Sequence, residues 1–147
     1  MAFMYKTIVV GTDGSESSLL AVRRAAGIAA TMNAELVLAS AYYGSDADAM
    51  ASTRGDSQTV VGDQSADEIL AKAIAVAKEE GADKVHAQMR QGAPVEALMR
   101  IVMDVEADLL VVGNRGINSL TGRLLGSVPA DLARQSQCDT MIVHTVD

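Results

Sequence analysis

The stretch Asp108-Leu-Leu-Val-Val-Gly113-Asn-Arg-Gly116, followed nine residues later by Gly126-Ser127-Val128-Pro129, decides the fold. Four apolar residues in unbroken succession read as a short strand buried on both faces, the habit of a parallel sheet rather than an antiparallel one. Gly113 ends that strand, where a missing Cβ lets a ligand approach the backbone. Gly116 allows a second sharp turn. Gly126-Ser127 then leads into a helix read over residues 129–134, with Pro129 at its first position, where the missing N–H costs nothing.

Working outward, four more apolar runs read as strands, at residues 5–11, 35–42, 84–90 and 140–145. The run at 84–90 alone alternates, with Val85, Ala87 and Met89 against Lys84, His86 and Gln88, which suits a sheet edge with one wet face. Helical spacing appears between the strands. Residues 15–32 place Leu19, Val22, Ala26 and Ala29 on one stripe. Ser65 with Glu68 reads as a capping box ahead of Ile69, Leu70, Ala73 and Ala77, and Gly81 as the stop of that helix. Pro94 sits where a first helical residue belongs, ahead of Leu98, Ile101, Val102 and Val105. Strand and helix therefore alternate four times before a last strand, which predicts a single α/β domain over residues 1–147, an open parallel sheet with helices on both faces. The connection at 44–64, rich in Ser, Asp, Ala and Gly, breaks the rhythm and reads as a mobile loop, with a lid as the alternative.

The glycine-rich segment at 113–127 has the chemistry of a phosphate loop. Backbone N–H groups at Gly116, Ser127 and Val128 are candidate donors to phosphate oxygens, the Ser127 hydroxyl a further one, and Arg115 and Arg123 supply charge. The same residues in this order also make an ordinary helix start. The pattern lacks the Gly-Lys-Ser/Thr of a Walker loop and is not the G-x-G-x-x-G dinucleotide motif.

Gly113-x2-Gly116-x9-Gly126-Ser127, with the opening Ile-Val-Val-Gly-Thr-Asp13-Gly-Ser15 and the closing Met-Ile-Val-His, resembles the ATP-binding branch of the universal stress protein family over nearly the whole chain. The resemblance implies a Rossmann-like five-stranded parallel sheet of order 3-2-1-4-5. A ligand would then lie in the crevice at the carboxyl ends of strands one and four, where their connections diverge. It also implies a site for an adenine nucleotide: ATP, with Mg²⁺, or AMP or cyclic AMP without it, between which the sequence does not choose. Asp13 would lie near the adenosine end, as a carboxylate accepting from a ribose hydroxyl or a base amino group, or as a helix cap, or both. The adenine would lie against the backbone around Ser40 and Ala41. The candidate binding residues are thus Thr12, Asp13, Gly14, Ser40, Ala41, Gly113, Asn114, Arg115, Gly116, Arg123, Gly126, Ser127 and Val128. The resemblance further implies a homodimer paired through the last strand. One departure is Cys138-Asp139, where many relatives have Cys-Pro.

Composition narrows the alternatives. Aromatic residues make up 3% of the 147, with no Trp, too few to offer stacking platforms for single-stranded nucleic acid. A net charge of −7 would repel a phosphate backbone, so a nucleic-acid partner is not expected, while a small phosphate ligand needs only a local nest of donors. No apolar run is long enough for a membrane span, and the opening Met-Ala-Phe-Met-Tyr-Lys is not a secretory leader. With one cysteine there is no intramolecular disulfide, and a cytoplasmic protein is expected. His86 and His144 lie on different strands without Cys or paired acids, so no metal site is predicted, and Cys138 reads as a small buried hydrophobe. The eight Met residues fill a core short of aromatics. No catalytic residue is assigned. A nucleotide-binding regulator is the leading reading; a slow nucleotide hydrolase and a dimeric interaction module with an empty site are the alternatives.

Overall fold

The computed structural model describes residues 3–50, 60–114 and 127–145. Parallel pairing of five short apolar strands dictates the architecture: β1 (Thr7–Gly11), β2 (Glu35–Tyr42), β3 (Val85–Gln91), β4 (Leu109–Gly113) and β5 (Asp139–Val143) form one sheet of order β3-β2-β1-β4-β5. Every pair is parallel, with Val9 beside Val37 and Leu110 at the centre. A parallel sheet needs crossovers that cover both faces. Helices α1 (Glu16–Met32) and α3 (Asp63–Glu79) cover one face, and α4 (Pro94–Asp104) and α5 (Ser127–Gln135) the other.

Strand alternation splits the core in two. Ile8, Val10, Leu36, Leu38, Leu109 and Val111 face α1 and α3. Val9, Val37, Ala39, Leu110 and Val112 face α4 and α5. Both sets are buried, which explains why strands β1, β2 and β4 show no polar alternation. Cys138 packs against the second cluster as a small apolar group.

The amino edge of the sheet is closed by carboxylates. Asp108 accepts from the backbone N–H groups of Lys6 (2.9 Å) and Thr7 (2.9 Å), fixing the entry of β1 beside β4. The Tyr5 hydroxyl donates to Asp139 Oδ2 at 2.8 Å, tying the same entry to β5. This hydrogen bond, helped by partial burial and the nearby charges of Asp139, Asp108 and Cys138, holds the Tyr5 phenol above its ordinary value.

Four local expectations need correction. The connection after β2 carries a short helix, α2 (Asp46–Met50), where a loop was expected; residues 51–59 of that connection lie outside the described residues. Helix α3 starts at Asp63 on Gly62, not on a Ser65–Glu68 capping box. The cause is a parallel bridge, Tyr43 with Val61, which delivers the chain directly to Gly62; its φ of 87° turns the backbone at once into the helix, and Asp63 puts a carboxylate in the first turn. Helix α5 begins at Ser127, so Pro129 is its third residue; that position is still within the first four N–H groups, which have no partner inside a helix. Finally, β3 is an edge strand as expected, but Ala87 is exposed along with His86 and Gln88; only Val85 and Met89 reach the core. Gly81, with φ of 96°, stops α3, and Pro94 opens α4, both as read.

Candidate functional site

In a parallel α/β sheet every helix that follows a strand begins at the carboxyl edge. Here the starts of α1, α3, α4 and α5 lie at that edge, and those of α1, α4 and α5 border one place on it. The order β2-β1-β4 makes the β1 and β4 connections leave for opposite faces, which opens a crevice between them. A cleft occupies this place, with about 680 Å³ of space including its open mouth.

Its floor comes from small residues. Along the α4 face, Val9 and Val37 give way at the carboxyl end to Gly11 and Ala39, which are register partners, and then to Ala41. A Cβ on Gly11 would sit 3.0 Å from Leu98 Cδ1, so this glycine keeps the floor low. Pro94 and Leu98 of α4 form one side wall and Val60 another. That end of the cleft is apolar.

The other end is polar and is built by the β1–α1 turn. Ser15 caps α1, its hydroxyl accepting from Ser18 N–H. The Ser18 hydroxyl donates to the Ser15 carbonyl at 2.9 Å and lies 2.9 Å from the Thr12 hydroxyl. Thr12 Oγ1 accepts from Gly14 N–H, and Asp13 Oδ1 accepts from Ser15 N–H at 3.0 Å. Gly14, with φ of 85°, has its α-carbon against Ile69, where a Cβ would come within 3.0 Å of Cγ1. The turn is thus held rigid before any ligand arrives. The cap is Ser15; Asp13 instead closes the turn ahead of it, on the cleft lining.

The candidate residues divide accordingly. Thr12, Asp13, Ala41, Gly113 and Val128 line the cleft. Gly14 shapes the turn beside it. Ser40 does not line it: strand alternation sends its side chain to the α1/α3 face with Leu38, where its hydroxyl is buried without a hydrogen-bond partner among the described residues. Only the Ser40 backbone can serve a ligand in the cleft.

Asn114 is also turned away. Its Oδ1 accepts from Thr145 N–H at 2.8 Å and from the Thr145 hydroxyl at 3.1 Å, and its Nδ2 faces His144 Nδ1 at 3.1 Å. Asn114 therefore clamps the end of β5 to the end of β4. Gly113, on the cleft lining, also meets a packing demand. A Cβ there would press on Ser17, 3.0 Å from Oγ, and on Thr145 Oγ1 at 3.3 Å, so the missing side chain admits the first turn of α1 and the end of β5. Ser17 and Thr145 hydrogen-bond across this gap. Arg115, Gly116, Arg123 and Gly126 lie outside the described residues. Ser127 is the first residue of α5.

Tyr43, Val60, Pro94 and Leu98 line the cleft without having been singled out as ligand residues. Pro94 and Leu98 were legible only as a helix start and a core position. The one sign of Val60 was an apolar Val60-Val61 pair inside a polar connection. Among the described residues no group of His, Cys, Asp and Glu could hold a metal ion, and none of those lining the cleft is cationic. No helix among them is long and apolar enough to cross a membrane.

The universal stress protein family matches residues 4–144 of the sequence. The chain belongs to this family. Universal stress protein Rv1636 of Mycobacterium tuberculosis is 48% identical over 143 residues, spanning 96% of this chain and 97% of that protein. A universal stress protein solved in complex with cAMP is similar at a TM-score of 0.77 with 45% sequence identity, covering 98% of this chain and 100% of that one. The crystal structure of Rv1636 is similar at a TM-score of 0.65 and 43% identity, over 99% of this chain and 100% of that one. The family's five-stranded order is the one found here.

Proposed function

We propose that this universal stress protein is a regulatory protein that binds an adenine nucleotide in the cleft between β1 and β4. The observation that carries the reading is the division of that cleft: an apolar end over Gly11, Ala39 and Ala41, and a polar end at the Thr12–Ser18 turn. A nucleotide has the same division. The base lies on the alanine floor against the backbone of Ser40 and Ala41. Asp13 accepts from the ribose. The phosphate lies toward Gly113 and the first turn of α5, where the helix dipole favours an anion. Arg115, Gly116, Arg123, Gly126, Ser127 and Val128 complete this set in the proposal, from the glycine pattern in the sequence.

Cyclic AMP is the first ligand to test, because the relative solved with cAMP is 45% identical over the whole chain. ATP with Mg²⁺ is the second. Binding without turnover is favoured by the lining: Asp13 is the one acid among the described lining residues, and its Oδ1 accepts from Ser15 N–H rather than standing ready as a base. A homodimer paired through β5 belongs to the same proposal. Among the described residues β5 pairs only with β4, and its outer edge, with Met141 and Ile142 half-buried, would accept a second strand.

The Gly126→Val variant tests the site. It should unfold at the wild-type temperature and bind neither cyclic AMP nor ATP; wild-type affinity in that variant would place the phosphate elsewhere.

A further inference from the structure

The connection between β2 and α3 returns to the sheet at Val60. This residue is 5% exposed, although it comes from the most polar stretch of the chain. Backbone bonds tie it there. Tyr43 N–H donates to the Val60 carbonyl at 2.8 Å, and Gly62 N–H donates to the Tyr43 carbonyl at 2.8 Å, so the segment runs as a short parallel extension of the sheet beyond β2. The end of β2 is pinned on its other side by Gly92 N–H donating to the Tyr42 carbonyl at 2.8 Å. Val60 lines the cleft together with Ala39, Ala41, Pro94 and Leu98.

None of these five side chains carries a polar atom, so beside the backbone at Ser40 and Ala41 they contribute shape to recognition. The floor is set by glycine and alanine, which have no smaller hydrophobic replacement. Val60 is the branched side chain on that lining delivered by a loop rather than by the core.

Building on the nucleotide reading, we propose that Val60 is the specificity-determining wall of the base end, setting a width that a two-ring purine fills and a one-ring pyrimidine leaves partly empty. Loss of a methylene-sized contact in an apolar pocket changes discrimination by about 10-fold or more. Cutting Val60 back should therefore weaken the purine and leave the pyrimidine, already loose, nearly unchanged.

The test compares cyclic AMP with cyclic CMP on the wild type, Val60→Ala and Val60→Phe, by calorimetric titration, with thermal unfolding of each protein as the check on folding. The wild type should prefer cyclic AMP. Val60→Ala should weaken cyclic AMP by about 10-fold and narrow the preference. Val60→Phe should block the slot to cyclic AMP. Wild-type affinity and preference in Val60→Ala would overturn the proposal, and so would equal losses for both nucleotides, which would make Val60 structural only. A wild type that binds cyclic AMP while Val60→Ala is unchanged removes the wall but leaves the nucleotide site. A wild type that binds neither nucleotide removes both.

Discussion

At Gly14 two demands meet: a φ of 85° and an α-carbon packed on Ile69. A left-handed conformation costs an L-residue about 1–2 kcal/mol, so Gly14→Ala should lower stability by at least that amount in urea titration. Wild-type stability would mean that the turn relaxes freely. Ser40 offers the opposite case. Its buried hydroxyl has no partner among the described residues, so Ser40→Ala should be neutral or stabilising by up to about 1 kcal/mol. The same variant should bind nucleotide as the wild type does, since only the backbone of Ser40 can serve the cleft; lost binding would show that the hydroxyl serves the ligand. These positions also mark how far the residues of the site can be read from sequence. Spacing singles out Gly113 and Asn114, but not that a Cβ at Gly113 would strike Ser17 or that Asn114 is taken up by Thr145 and His144. Those contacts cross from β4 to α1 and β5, and no local pattern records them.

Secondary elements were legible where burial is two-sided. β1, β2 and β4 are nearly continuous in apolar residues because helices cover both faces, and the sequence shows that directly. The start of α3 was misread because its cause is a tertiary bridge, Tyr43 with Val61, that overrides the local Ser65–Glu68 pattern. Two ties between elements can be tested. Replacing Asn114 by Ala strips the acceptor from Thr145 N–H and should cost about 1–3 kcal/mol, with faster hydrogen exchange at the Thr145 amide. Unchanged exchange would contradict the clamp between β4 and β5. At the opposite edge, the Asp139 carboxylate keeps Tyr5 in its neutral form. The folded state raises this phenol above 10.0, so the tie is fully present below that value and is lost as pH rises through the raised one. Asp139→Asn should bring the ultraviolet titration of Tyr5 back toward the ordinary value, and an unmoved midpoint would exclude the carboxylate as the cause.

Taken as a whole molecule, the sheet order explains both the cleft and the edge at β5. β1 and β4 lie side by side with connections to opposite faces, so the ligand crevice opens at the centre of the sheet. β5, last in the order, leaves an apolar edge that pairing with a second copy would cover. Sedimentation at micromolar concentration should show a dimer, and a monomer throughout would contradict pairing through β5. An excess of seven negative charges does not prevent an anion from binding where three helix N-termini converge, because the field in the cleft is set by the nearest dipoles. The central claim is that this cleft holds an adenine nucleotide. Calorimetric titration of the nucleotide-free protein with cyclic AMP, and separately with ATP and Mg²⁺, tests it most directly. The account predicts saturable one-site binding of at least one of them; no heat from either, repeated at a second temperature to exclude a vanishing enthalpy, would contradict it.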